Sequence, residues 1–106
     1  MHIIKSSREY HEVYHQHKKR HGTLFVYLWN GKDLSEQAFG IVVSKKVGNA
    51  VHRNRVKRRI RAFFRDNPET LPLGKLVIIG KRDSGTSKWS EITTDLRKNL
   101  RAFNQG

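Results

Sequence analysis

The sequence predicts an α+β fold, a small β-sheet packed with helices, and two kinds of segment lead to that prediction. Short segments dense in β-branched and aromatic residues are typical of strands, and they span 23–29, 38–44 and 75–81. Longer segments with apolar residues three and four positions apart are typical of amphipathic helices, and they span 6–17, about 50–65 and about 88–103. The predicted order is α-β-β-α-β-α, with space for one extra short strand in the hairpin region. A sheet layer against helices makes a two-layer sandwich, and the length of 106 residues predicts one domain, 1–106.

The first helix carries a signal for its start. Ser6 or Ser7 can cap it, and Glu9 follows Ser6 by three positions, as in a capping box. Four residues at i, i+3, i+4 and i+7 then share one face: Tyr10, Val13, Tyr14 and His17. The polar segment KKRHG, 18–22, breaks this pattern and ends the predicted helix.

The two strands that follow are predicted to pair as a hairpin, because an Asn-Gly pair lies in the polar segment between them. Side chains alternate along a strand. One face of the first strand therefore carries Phe25, Tyr27 and Trp29, and the other carries Leu24, Val26 and Leu28. The continuous apolar run in KLVIIGK, 75–81, predicts a buried strand. The last helix has one predicted apolar face: Trp89, Ile92, Leu96, Leu100 and Phe103.

Charge is the strongest compositional signal. Lys and Arg number 22 against 9 Asp and Glu, which gives a formal net charge of +13. Self-repulsion of that size indicates a polyanionic partner, and nucleic acid is the leading one. No apolar run approaches the roughly 20 residues that span a bilayer, so no membrane partner is expected. The chain has no cysteine, which fits a cytoplasmic protein.

The positive charge is concentrated in SKKVGNAVHRNRVKRRIRAFFR, 44–65, where Lys and Arg recur without a single acid. Exposed helix faces usually mix Glu with Lys, because opposite charges one turn apart stabilise a helix. Asn49 is a good cap for the helix that follows it. Val51 lies on the basic side by angle, where it contacts either the adjoining loop or the partner. The apolar residues share an arc of about 100° that is expected to be buried: Val56, Ile60, Phe63 and Phe64.

Within this segment, SKKVGNAVHRNRVKRRIR resembles the signature of the bacterial ribonuclease P protein subunit. The shared pattern is Lys-Lys after a strand, then Gly, Ala-Val, the Arg-Asn-Arg triplet, Lys-Arg and a further Arg, and the match is long and ungapped. The resemblance implies the family fold, which has an unusual left-handed βαβ crossover around this helix. The general rule for parallel strands would give the right hand.

The resemblance also implies a function. The family's protein binds the catalytic RNA of ribonuclease P, and together they cleave precursor tRNA to make the mature 5′ end. The RNA, with bound Mg²⁺, performs the hydrolysis, so no catalytic residue and no tightly bound cofactor are expected in the protein. The residues implied to bind RNA are Lys45, Lys46, Arg53, Asn54, Arg55, Lys57, Arg58, Arg61 and Arg65.

In this family the 5′ leader of the precursor lies in a cleft between the first helix and the open sheet face. Tyr10 and Tyr14 match the spacing of the family's aromatic residues, and stacking of bases on such rings tolerates any sequence. The family also has an aromatic on the first strand, for which Tyr27 is the candidate. An ungapped count puts Leu28 there instead, and a shift of one residue reverses the face. Two arrangements stay open: Tyr27 in the cleft, or Tyr27 in the core with Val26 and Leu28 lining the cleft.

Other chemistries are disfavoured by the residues present. His11 and His15 have the i, i+4 spacing of metal ligands, but a zinc site needs three or four ligands, and the nearest carboxylate, Glu12, lies on another face of the helix. A metal-dependent nuclease needs converging carboxylates, and the acids are scattered along the chain. The alternative function is binding of structured RNA without a role in cleavage, as in a ribosomal protein. Composition alone does not separate these two RNA-binding functions.

Overall fold

In the computed structural model, residues 2–104 are described and form five strands and three α-helices. The strands are β1 (His2–Ile3), β2 (Lys18–His21), β3 (Phe25–Asn30), β4 (Gln37–Val42) and β5 (Gly74–Gly80). The helices are α1 (Ser7–His15), α2 (Ala50–Asp66) and α3 (Trp89–Asn104). Short 3₁₀ helices at Lys45–Val47, Pro68–Thr70 and Arg82–Gly85 connect them. The predicted α+β class is confirmed, and two short strands, β1 and β2, are added to the three predicted strands.

The strands form one mixed sheet in the order β1-β4-β5-β3-β2. β5 runs parallel to β4 and antiparallel to β3, and it separates them. The predicted hairpin between β3 and β4 is therefore wrong. The apolar run of β5 explains the difference, because Leu76, Val77 and Ile78 are all buried and need cover on both faces, which the central position provides.

β2 is the longer of the two strands that the sequence did not indicate. It lies at the edge of the sheet and pairs antiparallel with β3. Edge strands often carry lysines, which discourage pairing with another chain, so KKRH shows no apolar alternation. A tight turn joins β2 to β3, where the Gly22 N–H donates to the carbonyl of Phe25 (2.8 Å).

The main core lies between one face of the sheet and the helices α2 and α3. The predicted buried line of α2 is confirmed in full: Val56, Ile60, Phe63 and Phe64. α2 also forms the crossover between the parallel strands β4 and β5. The left hand that the resemblance implies for this crossover stays a prediction.

Trp89 departs from the predicted apolar face of α3. Ile92, Leu96 and Leu100 are buried as predicted, and Phe103 packs at the edge of the core. Trp89 is 42% exposed. It is the first residue of α3 and lies beside α2, outside the core that the rest of the face helps to form.

α1 covers part of the opposite face of the sheet. The predicted cap by Ser6 is confirmed, since the Glu9 N–H donates to Ser6 Oγ (3.2 Å). The Glu9 carboxylate accepts from the Ser6 hydroxyl (3.3 Å) and not from the Ser6 backbone N–H of a full capping box. Val13 is buried against Leu28 and Val77 in a second, smaller core. The two faces of the sheet therefore carry different helices, and each face can present a different surface.

Candidate nucleic-acid interface

The start of α2 is fixed by two backbone features. Gly48 has φ +141°, a conformation that residues with side chains rarely adopt. Asn49 Oδ1 then accepts from the His52 N–H (3.1 Å), which confirms the predicted cap. Val51, in the first turn, is 63% exposed, so it does not pack on the adjoining loop. The first turn of α2 therefore projects towards solvent.

Two shallow depressions flank Arg58 on the solvent side of α2. One, of about 370 Å³, is lined by Val51, Asn54, Lys57, Arg58 and Arg61. The other, of about 520 Å³, is lined by Arg55, Arg58, Arg59, Ala62 and Trp89. Neither lining contains an acid. The α2 surface, as we call the solvent side formed by Asn54, Arg55, Lys57, Arg58 and Arg61, therefore offers guanidinium forks that suit phosphate oxygens.

Other α2 cations differ in how free they are. Arg53 is half-buried in the first turn. Arg65, in the last turn, is exposed and lies 3.4 Å from Asp66, an exposed pair of the kind that contributes little. The Arg59 guanidinium donates to the carbonyl of Ser87 (2.9 Å) and so ties α2 to the segment before α3. Arg59 is thus a structural residue, and it was not among those predicted to bind RNA.

Lys45 and Lys46 are exposed in the 3₁₀ helix that follows β4. The next residue, Val47, is buried against Gly85. A Cβ on Gly85 would lie 2.2 Å from the carbonyl oxygen of Val47, so only glycine fits there. This contact fixes the two lysines just beyond the end of β4, one turn before α2 begins.

On the other face of the sheet, α1 and the strands carry the residues of the predicted aromatic cleft. Tyr10 and Tyr14 line it from α1, with ring centroids 6.1 Å apart. Its floor consists of three half-buried apolar residues: Val26, Val42 and Ile79. Tyr14 is 44% exposed, so its ring is accessible. We call this feature, formed by the two tyrosines and the three floor residues, the α1 cleft.

Tyr10 rests on the sheet because position 40 is glycine. A Cβ on Gly40 would lie 2.6 Å from the Tyr10 hydroxyl oxygen. Burial raises the pKa of the Tyr10 phenol and Tyr14 adds to the rise, whereas the Ile41 backbone and the Arg61 charge act in the opposite direction. An isolated glycine in a strand is typical of such a close approach, and this signal was present in the sequence.

Tyr27 is outside the α1 cleft, and the prediction that it binds the leader is wrong. Its ring lies on the opposite face of the sheet, in the main core, and is 0% exposed. Its hydroxyl donates to Asp95 Oδ2 (2.7 Å), and burial together with this carboxylate raises the pKa of the phenol. Asp95 Oδ1 also accepts from the Thr23 N–H (2.8 Å), so the pair fixes the turn between β2 and β3. The core position of Tyr27 in the second arrangement is confirmed; on the other face, Leu28 is buried beneath α1 and Val26 packs beside it.

Three acids converge, which the sequence did not indicate. Lys75 Nζ, at the start of β5, lies 2.8 Å from Glu12, 3.9 Å from Glu9 and 4.0 Å from Glu36. The hydrogen bond from Lys75 lowers the pKa of Glu12, and the same bond raises the pKa of Lys75 against the opposing effect of desolvation. The expectation of scattered acids is wrong for these three, but an ammonium group occupies their centre. The cluster joins α1 to the sheet.

The two histidines with the spacing of metal ligands, His11 and His15, both lie on α1. The rings of His11 and His15 stack with centroids 5.8 Å apart. No group of three His, Asp or Glu side chains within residues 2–104 is arranged to hold a metal ion.

Among the helices of that same part of the chain, none is both long enough and apolar enough to cross a membrane.

The fold and the two surfaces together define a class of protein. A single basic sheet-and-helix unit that groups arginines on one helix, with no acid on the solvent side that they form, has the charge pattern typical of a nucleic-acid-binding protein. The chain belongs to the ribonuclease P protein family, since the family model described as Ribonuclease P matches residues 1–104. The matched span includes every residue of the α2 surface and the α1 cleft.

Similar proteins agree with this assignment. A Ribonuclease P protein component from Syntrophus aciditrophicus is 39% identical over 95 residues, which is 88% of this chain and 79% of that protein. The structure of the Staphylococcus aureus RNase P protein has a TM-score of 0.83 at 28% identity and covers 94% of this chain and 93% of its own. The RNase P protein from Thermotoga maritima shares the fold, with a TM-score of 0.81 at 24% identity over 98% of this chain and 96% of its own. The resemblance seen in the basic segment is therefore confirmed.

Proposed function

We propose that this chain is the protein component of a ribonuclease P ribonucleoprotein, which removes the 5′ leader from precursor tRNA. The α2 surface binds the catalytic RNA, and the α1 cleft binds the leader. The separation of these surfaces carries the proposal, because α2 packs on one face of the sheet and α1 packs on the other. A protein built in this way can hold two segments of RNA at once.

The chemistry of the α2 surface supports binding to an RNA backbone. Guanidinium groups bind phosphate oxygens with two parallel hydrogen bonds, and they keep their charge at any physiological pH. Structured RNA is recognised largely through its backbone and its shape, which demands many cations and few base-specific groups. Asn54 is the exception in this surface, since its exposed amide can both donate and accept.

The chemistry of the α1 cleft supports binding to single-stranded RNA of any sequence. Every base can stack on an aromatic ring, and such stacking contributes about 1–3 kcal/mol per base. Tyr10 and Tyr14 have raised pKa values, so both phenols stay neutral and do not repel phosphate at physiological pH. The apolar floor offers no sequence-reading groups. Tolerance of this kind suits a protein that must accept many different leaders.

We assign no catalytic residue to the protein. The carboxylates that converge are engaged with Lys75, so we propose that the RNA, with bound Mg²⁺, performs the hydrolysis. The protein then contributes positive charge and position. It offsets repulsion between the catalytic RNA and the precursor, and it holds the leader in the α1 cleft.

Reconstitution with a bacterial ribonuclease P RNA tests the proposal. The full chain is added at a Mg²⁺ concentration too low for the RNA alone, and cleavage at the mature 5′ end of a precursor tRNA is measured. We expect strong stimulation. A peptide spanning residues 50–66 is the control, because it carries the charge of α2 without the cleft. A structured-RNA-binding protein with no role in cleavage would bind the RNA without stimulating it, and that result with a folded chain would contradict the proposal.

A further inference from the structure

The aromatic ring of Trp89, at the start of α3, is explained neither by the main core nor by the α1 cleft. The next residues on the same side of α3, Ile92 and Leu96, are both 0% exposed, whereas Trp89 is 42% exposed. Trp89 lines the depression of about 520 Å³ that also includes Arg55 and Arg58 of the α2 surface. A large apolar ring therefore lies beside cations that are proposed to bind RNA.

The ring of Trp89 is not occupied by another part of the protein. The chain has 2 tryptophans, and the other one, Trp29, stacks on Phe103 with centroids 5.4 Å apart and has Lys18 Nζ 5.8 Å from its ring. Among residues 2–104, no aromatic ring and no cation stacks on Trp89. The part of the indole that borders the depression is therefore open to a ligand.

The backbone at Trp89 is fixed relative to α2. The guanidinium of Arg59, on α2, donates to the carbonyl of Ser87 (2.9 Å), two residues before Trp89. The Lys88 N–H donates to the Glu91 carboxylate (2.8 Å), and the Lys88 carbonyl accepts from the Glu91 N–H (3.1 Å) as α3 begins. Because the segment is already held against α2 and within α3, ordering it around a ligand costs little entropy.

The charges around the ring favour an anionic ligand. Three arginines and no acid line the depression: Arg55, Arg58 and Arg59. The acid nearest to Trp89 in the sequence, Glu91, lines a different depression, beside the turn between β2 and β3. A ligand that fits here presents an apolar or aromatic face to Trp89 and negative charge to the arginines. A nucleotide within an RNA strand has both features.

We propose that Trp89 is a further RNA-contacting residue, on which an unpaired base of the structured RNA stacks while Arg55 and Arg58 bind the adjoining phosphates. The base is unpaired, because bases inside an RNA duplex stack on one another and present no face to a side chain. Stacking on an aromatic ring makes no demand on the identity of the base. The proposal rests on the RNA-binding role of the α2 surface, and it adds that α3 extends that surface.

A single exposed apolar residue often needs no explanation beyond packing at the edge of the protein. Ala62 of α2 lines the same depression, so packing of the indole against α2 has to be separated from binding. The two roles have different requirements. A leucine side chain can pack beside Ala62 but cannot stack on a base, whereas a phenylalanine ring can do both.

Affinity for a bacterial ribonuclease P RNA, measured with variants of Trp89, separates stacking from packing. In Trp89→Leu we expect the affinity to fall about ten-fold, because the aromatic face is lost. Trp89→Phe keeps a ring and should retain most of the affinity. The factor lost in Trp89→Leu should be similar at low and high salt, because stacking releases no counterions. Leu34→Ala, at an exposed apolar residue between β3 and β4, is the matched control and should bind like the unmodified chain.

Fluorescence tests whether the bound base is unpaired. Trp29→Phe leaves Trp89 as the only tryptophan, and thermal unfolding checks that this variant is folded. We expect the catalytic RNA to quench the emission of Trp89. A fully paired RNA duplex, added until binding is saturated, should quench it much less, because it offers phosphates without a free base.

The outcomes separate the role of Trp89 from that of the α2 surface. If Trp89→Leu binds the catalytic RNA as tightly as the unmodified chain, the stacking role is overturned and the α2 surface is retained. Equal losses in Trp89→Leu and Trp89→Phe would assign Trp89 to packing and overturn it as well, as would equal quenching by the duplex. If the unmodified chain binds the catalytic RNA without the steep salt dependence of phosphate contacts, the α2 surface itself fails, and the stacking role fails with it.

Discussion

The α2 surface and the α1 cleft are built in opposite ways. The α2 surface comes from one helix, and its residues are close in space because they are close in sequence. The α1 cleft takes its walls and floor from α1 and from three strands that are distant in sequence. The residues on one side of a helix can be predicted from the helical period alone. The residues of the cleft come together only when the strands of the sheet are in the correct order. The first is a property of a segment, and the second is a property of the fold.

The two surfaces should also respond differently to salt. Phosphate contacts by lysine and arginine release counterions, so their contribution falls steeply as salt concentration rises. Stacking on Tyr10 and Tyr14 involves no net charge and should be much less sensitive. Salt is therefore a means of weakening one surface while leaving the other largely intact.

The largest expected effect comes from removing two cations of the α2 surface. In Arg55→Ala with Arg58→Ala, we expect affinity for the catalytic RNA to fall about 50-fold at 0.1 M salt, because each phosphate contact contributes roughly one power of the salt concentration. The slope of log K against log salt concentration should fall in magnitude by about 1.5. Filter binding over a salt series measures both quantities.

A charge-matched control keeps that test specific. Lys98→Ala with Arg101→Ala removes the same two charges from the exposed side of α3 and should change the affinity little. If the two double variants lose affinity for the catalytic RNA by the same factor, net charge alone accounts for binding. The α2 surface then contributes no more than any other pair of positive charges.

The elements of the fold were predictable where local pattern decides them. The 3.6-residue period of α2 identified its buried line, and the Ser6 and Asn49 caps were visible in the sequence. Strand order was not predictable in this way, because the Asn-Gly pair at residues 30–31 favours a hairpin locally. That preference was overridden by the need of β5 for cover on both faces, a requirement that only the whole sheet can meet.

The candidate site residues show the same difference between what local pattern decides and what the whole fold decides. The cations of the α2 surface were found from sequence, as were Tyr10 and Tyr14. Tyr27 was misplaced, because alternation alone gives two faces without saying which one α3 covers. Lys75 was missed for a related reason: its partners Glu9 and Glu12 reach it only after α1 has folded across the sheet.

A smaller effect is expected in the α1 cleft. Tyr14→Ala should weaken binding of precursor tRNA about ten-fold, since one stacked base is lost, and leave mature tRNA unaffected. Tyr14→Phe keeps the ring and should retain most of the affinity. Titrations with both tRNAs measure the difference, and it should persist at high salt. An equal loss for precursor and mature tRNA would remove the leader from the cleft.

The smallest effect is expected at Lys75, which touches neither surface and holds one wall of the cleft. Lys75→Met leaves the carboxylates of Glu9, Glu12 and Glu36 without their ammonium partner, so α1 should be held less firmly. We expect thermal stability at neutral pH to fall by a few degrees, with a few-fold loss of leader affinity and no change in binding of the catalytic RNA. Lys75→Arg retains the charge and should behave like the unmodified chain.

The pH dependence of the stability loss in Lys75→Met shows whether the ion pairs of Lys75 cause that loss. Glu12 has a lowered pKa in the folded chain, so its contribution to stability is present above its unfolded pKa and is lost as pH falls through the folded value. Lys75 has a raised pKa, so its contribution is present at neutral pH and is lost as pH rises through that higher value. The stability gap between the unmodified chain and Lys75→Met should therefore be widest near neutrality and should close in acid. A gap that stays constant as the carboxylates are protonated would mean that Lys75 acts through packing, and that the ion pairs do not hold α1 in place.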